Sequence, residues 1–184
     1  MGFTDSDGYE PWVSDGTQAG TVQLGNLSPG NLNSLGGQGF VLGDKLYFAM
    51  NTTGLGYELW ESDGTAAGTQ LVIDLEPGLG GAYPQEFARI GDKLLFSAAT
   101  TTFGREFYVS DGTAAGTTLL KDINPGAISS EPRVLEPYKG RLYFSATTAA
   151  RGCELWSTDG TTAGTQMLLD LNPGASSSFP LVMA

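Results

Sequence analysis

The chain has 184 residues, 20 acidic and 9 basic side chains, no histidine and one cysteine, for a formal net charge of −11. That charge repels nucleic acid and anionic lipid headgroups, the lone Cys153 excludes an internal disulfide, and a length of one or two domains filled by a repeat leaves no room for a separate catalytic domain. Its 27 glycines and 9 prolines fall at fixed positions among 40% apolar residues, a pattern of turns rather than disorder.

The chain opens within a strand at Gly2-Phe3-Thr4. Asp5-Ser6-Asp7-Gly8 then approaches a calcium loop but lacks its later ligands and terminal Glu. Glu10 begins the first copy of Glu-x-x-x-x-Asp-Gly-Thr-x-Ala-Gly-Thr, which returns at Glu58, Glu106 and Glu154, each 48 residues after the last. The third copy shows the expected strands best, at Pro84 to Ile90, Lys93 to Ala98, Glu106 to Ser110 and Thr117 to Ile123. Period-two alternation, as in Lys93-Leu94-Leu95-Phe96-Ser97 and Arg141-Leu142-Tyr143-Phe144-Ser145, favours strand over helix throughout. Gly43-Asp44, Gly91-Asp92 and Lys139-Gly140 suit tight hairpins, the Asp-Gly-Thr segment a longer turn, and the Pro-Gly pairs at 29–30, 77–78, 125–126 and 173–174 type II turns. The chain ends on Phe179-Pro180-Leu181-Val182-Met183, which matches the first strand of the other copies.

A four-stranded antiparallel unit repeated at this period predicts an all-β, four-bladed β-propeller. The expected blades, within one domain of residues 1–184, are 1–30 plus 179–184, 31–78, 79–126 and 127–178. The C-terminal strand closes the first blade, which is thin because the closing repeat is about eight residues short, and an open solenoid is the rival arrangement. With no long apolar run and no basic-then-apolar leader, a soluble protein without membrane insertion is expected.

Glu58-Leu59-Trp60-Glu61-Ser62-Asp63-Gly64-Thr65 and Glu154-Leu155-Trp156-Ser157-Thr158-Asp159-Gly160-Thr161 resemble the bacterial ELWxxDGT repeat family. The likeness extends through Lys121 to Gly126 and Gly140 to Ala146, and the first copy departs from it at Pro11, Gln18 and Asn26. The resemblance implies a secreted or surface, non-catalytic setting and carries no catalytic residues.

Two sets of recurring residues are candidate sites. Asp15, Asp63, Asp111 and Asp159 could contribute to calcium sites, a cation that needs six to eight oxygens, or could close turns by bonding backbone amides. The strand glutamates, with Asp74, Asp122 and Asp170 further on, are open to a metal reading or a structural one, in which each strand Glu bonds a neighbouring blade's backbone or an Arg. Trp12, Trp60, Tyr108 and Trp156 could serve as sugar-stacking platforms or pack between sheets, whereas Phe48, Phe96 and Phe144 belong to the core. No Gly-x-Ser-x-Gly elbow, phosphate loop or base-paired nucleophile is present, and four near-equivalent copies do not separate two carboxyl pKa values as a glycosidase requires. The sequence therefore predicts a non-enzymatic extracellular assembly or adhesion module that associates with copies of itself or other surface proteins and requires no cofactor. Thr-rich loops at Thr100-Thr101-Thr102 and Thr147-Thr148 offer polar contact surface. The alternative is a lectin-like module binding glycans at one weak site per blade.

Overall fold

The computed structural model describes residues 2–4, 8–28 and 39–181. Asp5-Ser6-Asp7, Pro29-Gly30, residues 31–38 of the second repeat and the C-terminal Val182-Met183-Ala184 lie outside the described residues. The described chain is all-β and contains no helix.

The first repeat contributes β1 (Gly2–Thr4), β2 (Gly8–Glu10), β3 (Trp12–Val13) and β4 (Val22–Gln23). The second contributes β5 (Phe40–Leu42), β6 (Lys45–Thr52), β7 (Gly56–Ser62) and β8 (Gln70–Ile73). The third comprises β9 (Gln85–Ile90), β10 (Lys93–Thr100), β11 (Gly104–Ser110) and β12 (Thr118–Leu119), and the fourth β13 (Arg133–Tyr138), β14 (Arg141–Thr148), β15 (Gly152–Thr158) and β16 (Gln166–Leu169). Repeats two to four each form one four-stranded antiparallel sheet with its strands in sequence order.

The central hairpin has the same register in all three sheets, with Phe48 opposite Trp60, Phe96 opposite Tyr108 and Phe144 opposite Trp156. Large rings directly across an antiparallel pair reinforce each other, and this is the packing that fixes the register. The rings stack at 6.0 Å for Phe96–Tyr108 and 6.4 Å for Phe144–Trp156. At the Lys139-Gly140 hairpin both residues have positive φ, +47° and +74°, as a type I′ turn requires.

The first repeat departs from this plan, its strands forming two two-stranded ladders, β1–β2 and β3–β4. Pro11 stands where the other copies have Leu59, Phe107 and Leu155, and with no N–H to donate it divides one long strand into β2 and β3. Its carbonyl still accepts from Leu24 N at 2.9 Å.

The outer strand is shorter than the sequence suggests. In the third repeat it ends at Leu119, because the chain beyond Leu120, whose N–H still reaches Phe107 O at 2.9 Å, turns into the binding shell of Glu106 described below. At the other end of each repeat the residue before a proline has positive φ: Tyr83 (+49°), Glu131 (+47°) and Phe179 (+47°). Proline pushes its predecessor toward extended conformations, so this corner carries strain in every copy where it is described. Phe179 to Leu181 form no strand.

The chain divides into two compact units, Met1–Pro84 and Gln85–Ala184. In the first, Phe48, Met50 and Trp60 form a core against Leu27, Leu55 and Leu71. In the second, two complete sheets share a core of Ile90, Leu95, Phe107, Leu120 and Ile123 from the third repeat with Leu142, Phe144 and Trp156 from the fourth. Phe107 meets Phe144 edge to face at 5.1 Å.

Candidate functional site

The recurring polar residues occupy two settings, an exposed turn and a buried cradle. In the turn, Asp111 Oδ1 accepts from Thr113 N (2.9 Å) and Thr113 Oγ1 (2.7 Å), and Thr113 Oγ1 in turn accepts from Gly116 N at 3.0 Å. Asp15, Asp63 and Asp159 make the same pair of bonds to Thr17, Thr65 and Thr161. These Thr hydroxyls, and then the Thr amides, hold all four carboxyls below the ordinary aspartate value. A Cβ on Gly20, Gly68, Gly116 or Gly164 would collide with the carboxylate of the same turn. The second glycine of the motif is therefore required by contact with Asp.

Beneath the turn, Ser62–Thr69 and Ser110–Thr117 pair through their hydroxyls at 2.7 Å and Thr158–Thr165 at 2.8 Å. The Ser or Thr just before each Asp is a structural member that the sequence reading missed, although its recurrence at the 48-residue step was available as a signal.

The glutamates lie in the cradle, and all four side chains are essentially inaccessible to water. Glu58 accepts from Leu75 N (2.9 Å), Glu76 N (3.3 Å) and Ala82 N (2.8 Å). Glu106 accepts from Asn124 N (3.3 Å), Ser130 N (3.2 Å) and Ser130 Oγ (2.6 Å). Glu154 accepts from Leu171 N (3.1 Å), Ser178 N (3.0 Å) and Ser178 Oγ (2.6 Å), and Glu10 from Leu27 N and Ser28 N. Each glutamate thus gathers the segment that leaves its own sheet after the outer strand.

Neighbouring residues complete the grip. Arg105 O accepts from Ser130 N at 3.1 Å and Arg105 N donates to Ser129 Oγ at 2.9 Å, and Cys153 makes the matching bonds to Ser178 N and Ser177 Oγ. Gly104 has φ +63° and its Cβ would sit 2.6 Å from Ser129 N. The crossing segment fits there because that residue has no side chain.

Burial pushes the Glu58 and Glu106 carboxyls up to about 7, against the pull of the groups that donate to them. Glu154 is held below its ordinary value, chiefly by the Ser178 hydroxyl. The segment over Glu154 is itself largely exposed from Leu171 to Ser176, so its low-dielectric cover is one chain thick, whereas Glu106 lies under Ile123, Asn124 and Ser130, all buried.

The four aromatic candidates each lie in their own repeat. Trp60 and Trp156 are 8% exposed and Tyr108 4%, with rings against Phe48, Phe144 and Phe96; Lys121 Nζ also lies 6.0 Å from the Trp156 ring. A sugar needs an open ring face, which these three lack in this structure. Trp12 is half-buried on β3. The indole N–H groups of Trp12, Trp60 and Trp156, and one oxygen each of Asp74, Asp122 and Asp170, are buried without a partner.

As to calcium, each turn contributes one carboxylate, already bonded by its own Thr, and among the described residues no three acidic or sulfur-bearing side chains converge. Comparison with family models, curated proteins and solved structures finds no match for the chain.

Proposed function

We propose that the protein is a non-catalytic assembly or adhesion module whose sheets stand as blades of a four-bladed propeller and which associates with copies of itself. The observation that carries this reading is the shared core of the third and fourth sheets, in which one repeat is the natural cover for the next. Repeats of this kind bury their apolar surface only against neighbours, so an uncovered end invites association. The recurring carboxylates support the same reading, since their geometry serves the backbone. The extracellular setting and the kinship with ELWxxDGT proteins rest on the motif and the acidic composition.

The test is solution mass by light scattering across micromolar concentrations, with calcium and with chelator. Assembly is expected as a mass rising with concentration above the 19.2 kDa of one chain. A constant monomer in both conditions would reject the module and redirect work to glycans. A rise that requires calcium would turn the Asp turns into ligand candidates.

A further inference from the structure

We propose that a groove between the third and fourth sheets is a binding site for the carboxylate of a small ligand, one no larger than a single sugar ring. All its walls belong to the unit Gln85–Ala184. The site is independent of self-association.

The groove lies between the β9–β10 hairpin, with Arg89 and Gly91, and the β13–β14 hairpin, with Tyr138, Lys139, Gly140 and Arg141. Ile90 is part of both its wall and the apolar core that the two sheets share. A Cβ on Gly160 of the fourth repeat would lie 3.1 Å from Ile90 Cγ1, so close packing joins the two repeats beside the groove. Its volume is about 240 Å³, below the roughly 300–1,000 Å³ of sites for drug-sized ligands. It admits one ring and its substituents.

The charge of the groove runs against that of the chain. Acids outnumber bases 20 to 9, yet Arg89, Lys139 and Arg141 line it and, among the described residues, no acid does. At the 48-residue step, Lys139 and Gly140 stand where the second and third repeats have Gly43-Asp44 and Gly91-Asp92, so the fourth repeat gains a base and loses an acid. Arg89 stands where the second repeat has Val41 and the fourth Pro137, whereas Arg141 keeps the cation of Lys45 and Lys93. Two departures from the repeat, one from each sheet, thus converge on one groove.

Lys139 also takes a backbone conformation that glycine takes more readily, with φ +47° against +65° at Gly43 and +63° at Gly91. A side chain in this left-handed region is destabilising, and residues held there cluster at ligand sites. The three cations are positioned rather than loose. Arg141 donates from Nε and Nη2 to Ser157 Oγ at 3.2 and 2.9 Å and from Nη2 to Gly164 O at 2.6 Å, while Nη1 has Asp159 at 3.9 Å. Arg89 folds back through Nε onto Gly91 O at 2.7 Å, and Lys139 Nζ lies 5.0 Å from the Tyr138 ring centre. A guanidinium fork matches a planar carboxylate, and Tyr138, 56% exposed, offers apolar surface for the body of the ligand. A net charge of −11 opposes a divalent anion more than a monovalent one, which favours a carboxylate over phosphate or sulfate.

The experiment titrates the full chain with glucuronate, benzoate, glucose and acetate at fixed ionic strength, following the amide resonances of Gly91, Lys139 and Gly140. Expected are saturable shifts with a ring acid, with a dissociation constant on the order of 1 mM, and none with glucose or acetate; whether glucuronate or benzoate binds identifies the body as a sugar or an aromatic ring. K139G and R89V restore residues of the other repeats, and each should weaken binding about tenfold or more, with K139G melting no lower than the wild type. R151Q removes an equal charge outside the groove and should bind as the wild type does. Acetate binding as tightly as the ring acids, or R151Q weakening binding as much as K139G, would overturn the site in favour of general attraction between charges. Binding unchanged in K139G and R89V, or no binding of either ring acid, would also overturn it, and in the second case a Lys139 that resists acylation in the free chain would show that the chain itself fills the groove.

Discussion

The exposed turn at Asp111 and the buried cradle at Glu106 are built from the same chemistry, a carboxylate accepting from backbone N–H and a hydroxyl, five residues apart; both carboxylates recur fourfold, and a hydroxyl joins the cradle at Glu106 and Glu154. Their surroundings set them in opposite directions. Open to water, Asp111 is favoured as an anion by its hydrogen bonds. Under Ile123 and Ser130, Glu106 loses more to desolvation than its donors return, and its proton stays on to about pH 7. The bonds that a carboxylate makes do not determine its state until the depth of cover is known.

The comparison breaks most sharply at the cradle. Glu106→Ala leaves the Asn124 amide without this acceptor and Ser130 with Arg105 O alone, and with the cavity it opens is expected to cost about 2–5 kcal/mol in urea unfolding. Gly116→Ala tests the turn: the new Cβ meets the Asp111 carboxylate, for an expected loss of about 1–3 kcal/mol, larger than an exposed loop ordinarily shows. Asp111→Ala should lower Tm by only a few degrees, and an effect equal to Glu106→Ala would erase the distinction between the two settings.

Acidity sharpens the contrast. Glu58 and Glu106 have folded values raised from 4.5 to about 7, so their contribution is fully present below pH 4.5 and is lost as pH rises through 7. The turn aspartates have lowered folded values, and their contribution, present above the ordinary 3.8, is lost as pH falls below it. Thermal melts of the wild type should therefore fall in Tm between pH 5 and 7.5, and Glu106→Gln should flatten that slope. A slope identical in the variant would show that Glu106 does not contribute to it.

The smallest expected effect is a gain. Glu131→Gly removes a side chain from a left-handed residue before Pro132 at the expense of a weak 3.9 Å pair with Arg105. It should stabilise by about 0.5–1 kcal/mol, read as a shift in urea midpoint.

Most of the secondary structure was legible in the sequence because alternation and turn residues are local signals. Lys93-Leu94-Leu95-Phe96 and the Gly91-Asp92 turn give β10 and its hairpin directly, and Pro11 announces the break in the first repeat. The aromatic position was legible as a recurrence, though not as a cross-strand partner of Phe48, Phe96 and Phe144, since register is a relation between segments. The cradle was the hardest to see. The sequence pointed the glutamates to a neighbouring blade's backbone or an Arg, whereas Glu106 bonds the segment that follows its own outer strand; its donors at Asn124 and Ser130 are N–H groups, which every residue but proline carries and which leave no mark in composition. The depth that shifts Glu106 depends on what lies above Ile123, which no spacing reveals.

The cradle also bears on how such a gene can change. Each glutamate and the segment it holds lie 17 to 24 residues apart, within half a repeat, so a duplication or deletion of a whole 48-residue unit carries matched partners wherever its breakpoints fall. Copy number can then drift by unequal recombination without any newly joined repeat needing compensating substitutions. Loss of a single codon between Asn124 and Ser130 has no such protection, because it shifts the amides past a carboxylate that cannot move.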